Sequence, residues 1–166
     1  MRYLKDKYLY PVVNKDQFLL EFNNSYSEKS KKVKIIIKGL TLLDACLDAD
    51  GSIIPGKSTL MISSDLETLY LLLGIINSKL ATFYIKEKYA SSSYNGGINF
   101  NKDMLNNFPI KNGHDIEFSQ IRDIVRQIID IKAFNYYADT KAEEGKIDNI
   151  LSVSYTHLRA HETRHD

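Results

Sequence analysis

The chain has 166 residues, and its 22 Lys and Arg nearly balance 21 Asp and Glu, for a formal net charge of +1. That is enough chain for one domain with a real core, and so small a charge creates no global field to attract nucleic acid or a membrane surface. The single cysteine, Cys46, excludes an intramolecular disulfide and suits a reducing compartment. The longest apolar run, "LYLLLGII" from Leu69 to Ile76, has eight residues, against about 20 for a membrane span.

The opening "MRYLKDKYLY" has no apolar signal-peptide core, so a cytoplasmic protein is expected. "QFLLEF" (17–22) is a weak strand candidate, and the β-branched "VKIIIK" (33–38) a strong one. Five lysines between Lys29 and Lys38 read as a solvated strand edge. "TLLDACLD" (41–48) is expected as a strand, with Cys46 a small buried side chain in it. Asp50-Gly51 reads as a hairpin turn, since both residues tolerate positive φ. A calcium loop at "DADG" fails: with Gly51 sixth, its first and twelfth positions are Cys46 and Lys57, where oxygen donors are needed. "STLMIS" (58–63) is a further strand. The first third therefore predicts a small, mostly antiparallel sheet.

At Ser64 the apolar period changes to that of a helix. One long helix is expected over 64–90, with Ser64 and Glu67 as its capping box. Asn77 is unfavourable inside such a helix, and is read as holding the helix against the sheet. "SSSYNGG" (91–97) breaks the helix as a polar loop, "INF" returns as a short strand, and "NKDMLNNFPI" is a short helix stopped by Pro109. "IEFSQIRDIVRQIIDIKAF" (116–134) is an amphipathic helix. A further helix starts at 139–151 behind Asp139 or Thr140 as N-cap. The fold class expected is α+β: a small sheet packed with one long helix, followed by a helical extension. The expected divisions are 1–112, 113–151 and 152–166.

Catalytic patterns are missing. There is no Gly-rich phosphate loop and no Gly-x-Ser-x-Gly elbow. "HETRH" (161–165) has the histidine spacing of a zinc protease. With His157 as third ligand the trio would span roughly 12 Å of helix, too far for bonds of about 2 Å to converge. "SVSYTHLRAHETRHD" resembles the translation of a common sequencing adapter, so residues 152–166 are read as a non-native tail. No catalytic or metal-binding residue is assigned.

The middle of the chain is more specific. "KIIIKGLTLLDACLDADGSIIPGKSTLMI", followed by "LYLLLGIINSKLATFYIKEKYASSSYNGGINFNKDMLNNFPI", resembles the TaqI-like C-terminal specificity domain of adenine-specific DNA methyltransferases and fused restriction-modification enzymes. The matching parts are the helix core Leu72–Leu80, the polar loop Ser91–Gly97, the element Phe100–Leu105 and the closing Phe108-Pro109-Ile110. "QIIDIKAFNYYADTKAEEGKIDNIL" resembles the helical tail of the same proteins, so the likeness covers roughly residues 30–150. The Gly-rich cofactor motif and the Asn-Pro-Pro-Tyr catalytic motif of a complete methyltransferase are not in this sequence. The resemblance thus implies the specificity part of a larger enzyme. S-adenosylmethionine would be bound by the catalytic part, and no cofactor is expected in this chain. The partners implied are double-stranded DNA and a catalytic domain or subunit, with no membrane.

A base-modifying enzyme must select its site before flipping the target adenine out of the stack. Side chains on loops would read base edges while lysines on phosphates set the register. The candidate readers are Lys57 and Ser58, and Ser91, Ser92, Ser93, Tyr94 and Asn95 in the polar loop. The candidate phosphate contacts are Lys34, Lys38 and Lys102, with Lys86 and Lys88 beside them. The alternative is a protein-interaction module, in which the polar loop and the helix 116–134 dock a methyltransferase or nuclease subunit.

Overall fold

The structure, a computed structural model, describes residues 3–4, 14, 16–17, 20–21, 24–41, 43–56, 58–90, 93–94, 97–110 and 115–162. Its elements in chain order are β1 (Tyr3–Leu4), α1 (Asn24–Ser30), β2 (Lys34–Lys38), β3 (Leu40–Thr41), β4 (Ala45–Asp48) and β5 (Thr59–Ile62). There follow α2 (Leu66–Asn77), α3 (Lys79–Lys88), β6 (Ser93–Tyr94), β7 (Gly97–Asn99), α4 (Lys102–Asn106), α5 (Asp115–Phe134) and α6 (Lys141–Glu162). The class is α+β with a helical C-terminal part.

Four strands form one sheet in the order β1-β4-β2-β5, and three form a second in the order β3-β7-β6. Every pairing is antiparallel except β1 with β4. Strand side chains alternate between faces, and in β2 this puts Ile35 and Ile37, both 0% exposed, against the helices. Burying each contributes about 1.5–3 kcal/mol. Lys34, Ile36 and Lys38 occupy the opposite face, where Ile36 is paired across β4 with the buried Cys46.

The turn at Asp50-Gly51 forms, with Gly51 at φ +61. It does not make a hairpin, because β5 pairs with β2 and not with β4. A Cβ on Gly51 would lie 2.2 Å from the Lys31 carbonyl oxygen, so the turn closes on the end of α1. Tyr26 of α1 also donates its hydroxyl hydrogen to the Pro55 carbonyl, 2.5 Å away. The weak strand at 17–22 is not seen among the described residues: Asp16 and Gln17 are helical, and the Leu20 amide bonds back to the Asp16 carbonyl.

The single helix expected over 64–90 is two helices bent by 63° at Ser78. Ser78 is extended, with ψ 157. Its hydroxyl donates to the Ile75 carbonyl at 2.7 Å and accepts from the Ala81 amide at 3.0 Å, so one side chain ends α2 and starts α3. The α2 N-cap is Asp65, which accepts from the Thr68 amide at 2.9 Å. Ser64 only supports that carboxylate, and Glu67 is turned to Arg122 and Arg126 of α5.

Asn77 ties α2 to the sheet. Its amide oxygen accepts from the Ala45 amide and its amide nitrogen donates to the Ala45 carbonyl, both at 3.0 Å. Behind α2, Gly74 lets α5 approach: a Cβ there would stand 2.7 Å from Ile121 Cγ2. Ile121, Val125 and Ile128 of α5 join Ile147 and Leu151 of α6 in the cluster that also holds Ile35, Ile37 and Leu73. Asp148 of α6 accepts from the Lys79 amide at 2.8 Å, capping α3 from outside its own segment. The helical extension therefore shares the core of the sheet part. α6 runs without a break past Ser152, and the buried Ser154 hydroxyl bonds to Glu117 of α5. No single helix among the described residues is long and apolar enough to cross a membrane.

Candidate nucleic-acid interface

The two sheets meet at Gly39. Its amide donates to the Ser58 carbonyl at 2.9 Å, continuing the β2–β5 pairing, and its carbonyl accepts from the Phe100 amide at 2.8 Å, continuing β3–β7. A Cβ on Gly39 would sit 2.5 Å from the Ser58 carbonyl oxygen, so the junction requires glycine by close approach of backbones. One residue thereby gathers three segments: the end of β2 with Lys38, the start of β5 with Ser58, and the end of β7 leading to Lys102.

Lys38, Ser58 and Lys102 are all exposed. Lys38 ends β2 opposite Thr59. Thr59 turns back on Gly56, its hydroxyl donating to the Gly56 carbonyl at 2.7 Å. Lys102 is the first residue of α4, and Asn101 caps that helix by accepting from the Met104 amide at 2.9 Å. The polar loop is in part a β-hairpin: Ser93 and Tyr94 form β6, with Tyr94 opposite Gly97 and Ser93 opposite Ile98. The side chains of Ser93 and Tyr94, and all of Lys57, Ser91, Ser92 and Asn95, lie outside the described residues.

Lys34 is a correction. It is 0% exposed, and its Nζ donates to Asp48 Oδ2 at 2.5 Å and to the Ser30 carbonyl at 2.8 Å. Asp48, equally buried, also accepts from the amides of Ser52 at 3.1 Å and Ile53 at 3.0 Å. An ammonium so enclosed cannot reach a phosphate. Its part is structural: it is the cross-strand partner of Asp48 and holds the turn after β4 to the end of α1.

Lys86 and Lys88 are exposed in the last turn of α3. Lys88 donates to the Tyr84 hydroxyl at 2.7 Å, a hydrogen bond that raises its pKa and keeps it charged. Tyr84 stacks edge-on against Phe108 with ring centroids 5.1 Å apart, so Lys88 is held where α3 meets the segment before Pro109. Nothing in the sequence marks Gly39 as a pivot or Asn101 as the cap that orients Lys102. The residue types were visible, but the pairings that use them are long-range.

Chemically the junction offers exposed ammonium groups beside a short hairpin, a surface able to meet anionic backbone. Several of the described carboxylates are engaged in caps and ion pairs, among them Asp48, Asp65, Glu67 and Asp148. Of the "HETRH" motif, His161 and Glu162 end α6, their side chains outside the described residues, as are residues 163–166 entirely. No protein-family model and no curated protein matches the chain.

Proposed function

We propose that the chain is the DNA sequence-recognition part of a restriction-modification methyltransferase or endonuclease. It would bind duplex DNA and position a target adenine for a catalytic domain or subunit outside this sequence, in the cytoplasm. The observation that carries this reading is the junction at Gly39: exposed Lys38 adjoins Gly39 and exposed Lys102 follows closely on Phe100, both at the end of the β3–β7 pair away from the β6–β7 turn. The lysines supply phosphate contacts and register. Ser58 and, in the polar loop of the sequence, Ser93, Tyr94 and Asn95 read base edges, together with Lys57, Ser91 and Ser92. Asparagine can pair two-pronged with adenine, and tyrosine can stack or wedge. S-adenosylmethionine belongs to the catalytic partner.

A net charge of +1 implies weak binding by this chain alone, since nonspecific affinity rests on neutralised phosphates. The test is fluorescence anisotropy with a labelled duplex at low salt. Lys38→Glu and Lys102→Glu should each weaken binding and lower the salt slope by about one. Unchanged binding in both variants would remove this surface from the interface. The second reading, a module that docks a protein subunit, is favoured by one observation: α5 and α6 leave an open groove between them on the outer side.

A further inference from the structure

α5 and α6 are antiparallel neighbours, and the hydrogen bond from the Ser154 hydroxyl to Glu117 sets their register. Inward, the pair is buried along Ile121, Val125, Ile128, Ile147 and Leu151. Outward lies a groove of about 440 Å³ lined by Gln120, Asp123 and Ile124 of α5 and Lys146, Asn149 and Ile150 of α6. Ile124 and Ile150 are half-buried, whereas the four polar residues are exposed. Beyond them the apolar row continues in Ile116, 74% exposed. Along α5, Ile124, Gln127, Ile131 and Phe134 follow the alternating three- and four-residue spacing of a second helical seam. Phe134 in that seam is 96% exposed.

The polar residues around the groove are self-complementary. In an antiparallel pair, residues at one height lie as far forward on one helix as back on the other, and the Glu117–Ser154 contact fixes the reference height. Asp123 lies six residues forward of Glu117 and Lys146 eight back from Ser154, while Gln120 lies three forward and Asn149 five back. Each acid–base and amide–amide pair therefore stands within two residues, about 3 Å, of a common height. A twofold axis parallel to the helices lays α5 of one copy over α6 of the other, running antiparallel. It brings Asp123 over the partner's Lys146 and Gln120 over the partner's Asn149, with the isoleucines between.

We propose that this groove is the docking site of a second copy of the chain, and that two helix pairs close into a four-helix bundle. An isologous contact needs every group to meet its complement under one rotation, and the heights of these residues meet that condition. Asp123 already holds Arg126 Nη1 at 2.7 Å through Oδ1 and is 69% exposed. Lys146 has no ion-pair partner among the described residues. Two helices of about 30 Å, each about 10 Å across, offer roughly 600 Å². That is below the ~800 Å² per partner of a standard interface, so a dimer of modest affinity is expected.

Sedimentation velocity of the full chain over a range of concentrations tests this. The expected result is a reversible dimer. Asp123→Lys or Lys146→Asp alone should weaken it tenfold or more, and the two together should restore it. Ile116→Glu, at a side chain 74% exposed in the single copy, should weaken it as well, with circular dichroism unchanged. A chain that stays monomeric at every concentration would overturn the proposal and leave the groove to a different protein. So would a dimer indifferent to the single reversals, or one that the double reversal fails to restore.

Discussion

Lys34 and Asp48 face each other across β2 and β4 as a fully buried ion pair, with Nζ 2.5 Å from Oδ2. Removing one member leaves the other charged and enclosed, which costs about 3–5 kcal/mol. Lys34→Met should therefore lower unfolding free energy by about that amount in urea titration. Lys34→Met with Asp48→Leu should not recover wild-type stability. The amides of Ser52 and Ile53 would still lack the acceptor that Asp48 gives them. Full recovery in the double variant would show that the pair, and not the anchoring of the turn, is what the fold needs.

Asn77 is the second buried polar contact on which the packing depends. Asn77→Leu removes both bonds to Ala45 and leaves a buried amide and carbonyl unpaired, at about 3 kcal/mol. Because Ala45 lies in the sheet, the loss should appear as deprotection of β4 amides in hydrogen exchange as well as in the melting curve. A neutral variant would mean that α2 is held to the sheet by its apolar face alone.

Gly74 tests the fit of α2 against α5. Alanine is ordinarily favoured over glycine in a helix by about 1 kcal/mol. Here its Cβ would meet Ile121 Cγ2 at 2.7 Å and Val125 Cγ2 at 3.0 Å. Both methyl groups branch directly from Cβ and have little freedom to yield. Overpacking of about 1–3 kcal/mol should outweigh the helix gain, so Gly74→Ala lowers the melting temperature. A rise would contradict the close approach.

The α2 cap makes stability depend on pH. Hydrogen bonds from the Thr68 hydroxyl and amide pull the Asp65 pKa from 3.8 to about 2. A carboxyl depressed on folding stabilises above its unfolded pKa and loses that contribution as pH falls through its folded one. The wild-type melting temperature should thus fall more steeply between pH 3.8 and about 2 than that of Asp65→Ser. The serine cap keeps a hydrogen bond and does not titrate. Parallel pH profiles for the two proteins would rule out this cap as the source.

What could be read from the sequence was set by local chemistry. The β-branched "KIIIK" run announces β2 by period and propensity, and the apolar stripe of α5 from Ile121 to Ile128 shows directly. Features fixed by distant partners were not legible. Lys34 sits in a lysine-rich run and looks solvated, and only Asp48, 14 residues on, buries it. Ser78 looks like any serine inside a helix until its hydroxyl serves both helix ends. Nothing local marks Gly39, whose need for glycine comes from the Ser58 backbone. β1 could not be foreseen because a two-residue strand exists only through its parallel pairing to β4. At the candidate interface, Lys38 and Lys102 could be named from the sequence, but not the junction that sets both at the end of the β3–β7 pair away from the β6–β7 turn.

The measurement that bears most directly on the DNA-recognition proposal is selection of the chain's binding partners from a random-sequence duplex pool at low salt, repeated at rising salt. The expected result is enrichment of one short sequence, with affinity falling as salt rises. That enrichment should be lost in Tyr94→Ala and Asn95→Ala. A folded chain that enriches no sequence, alone or with a methyltransferase subunit, would contradict a role in reading DNA.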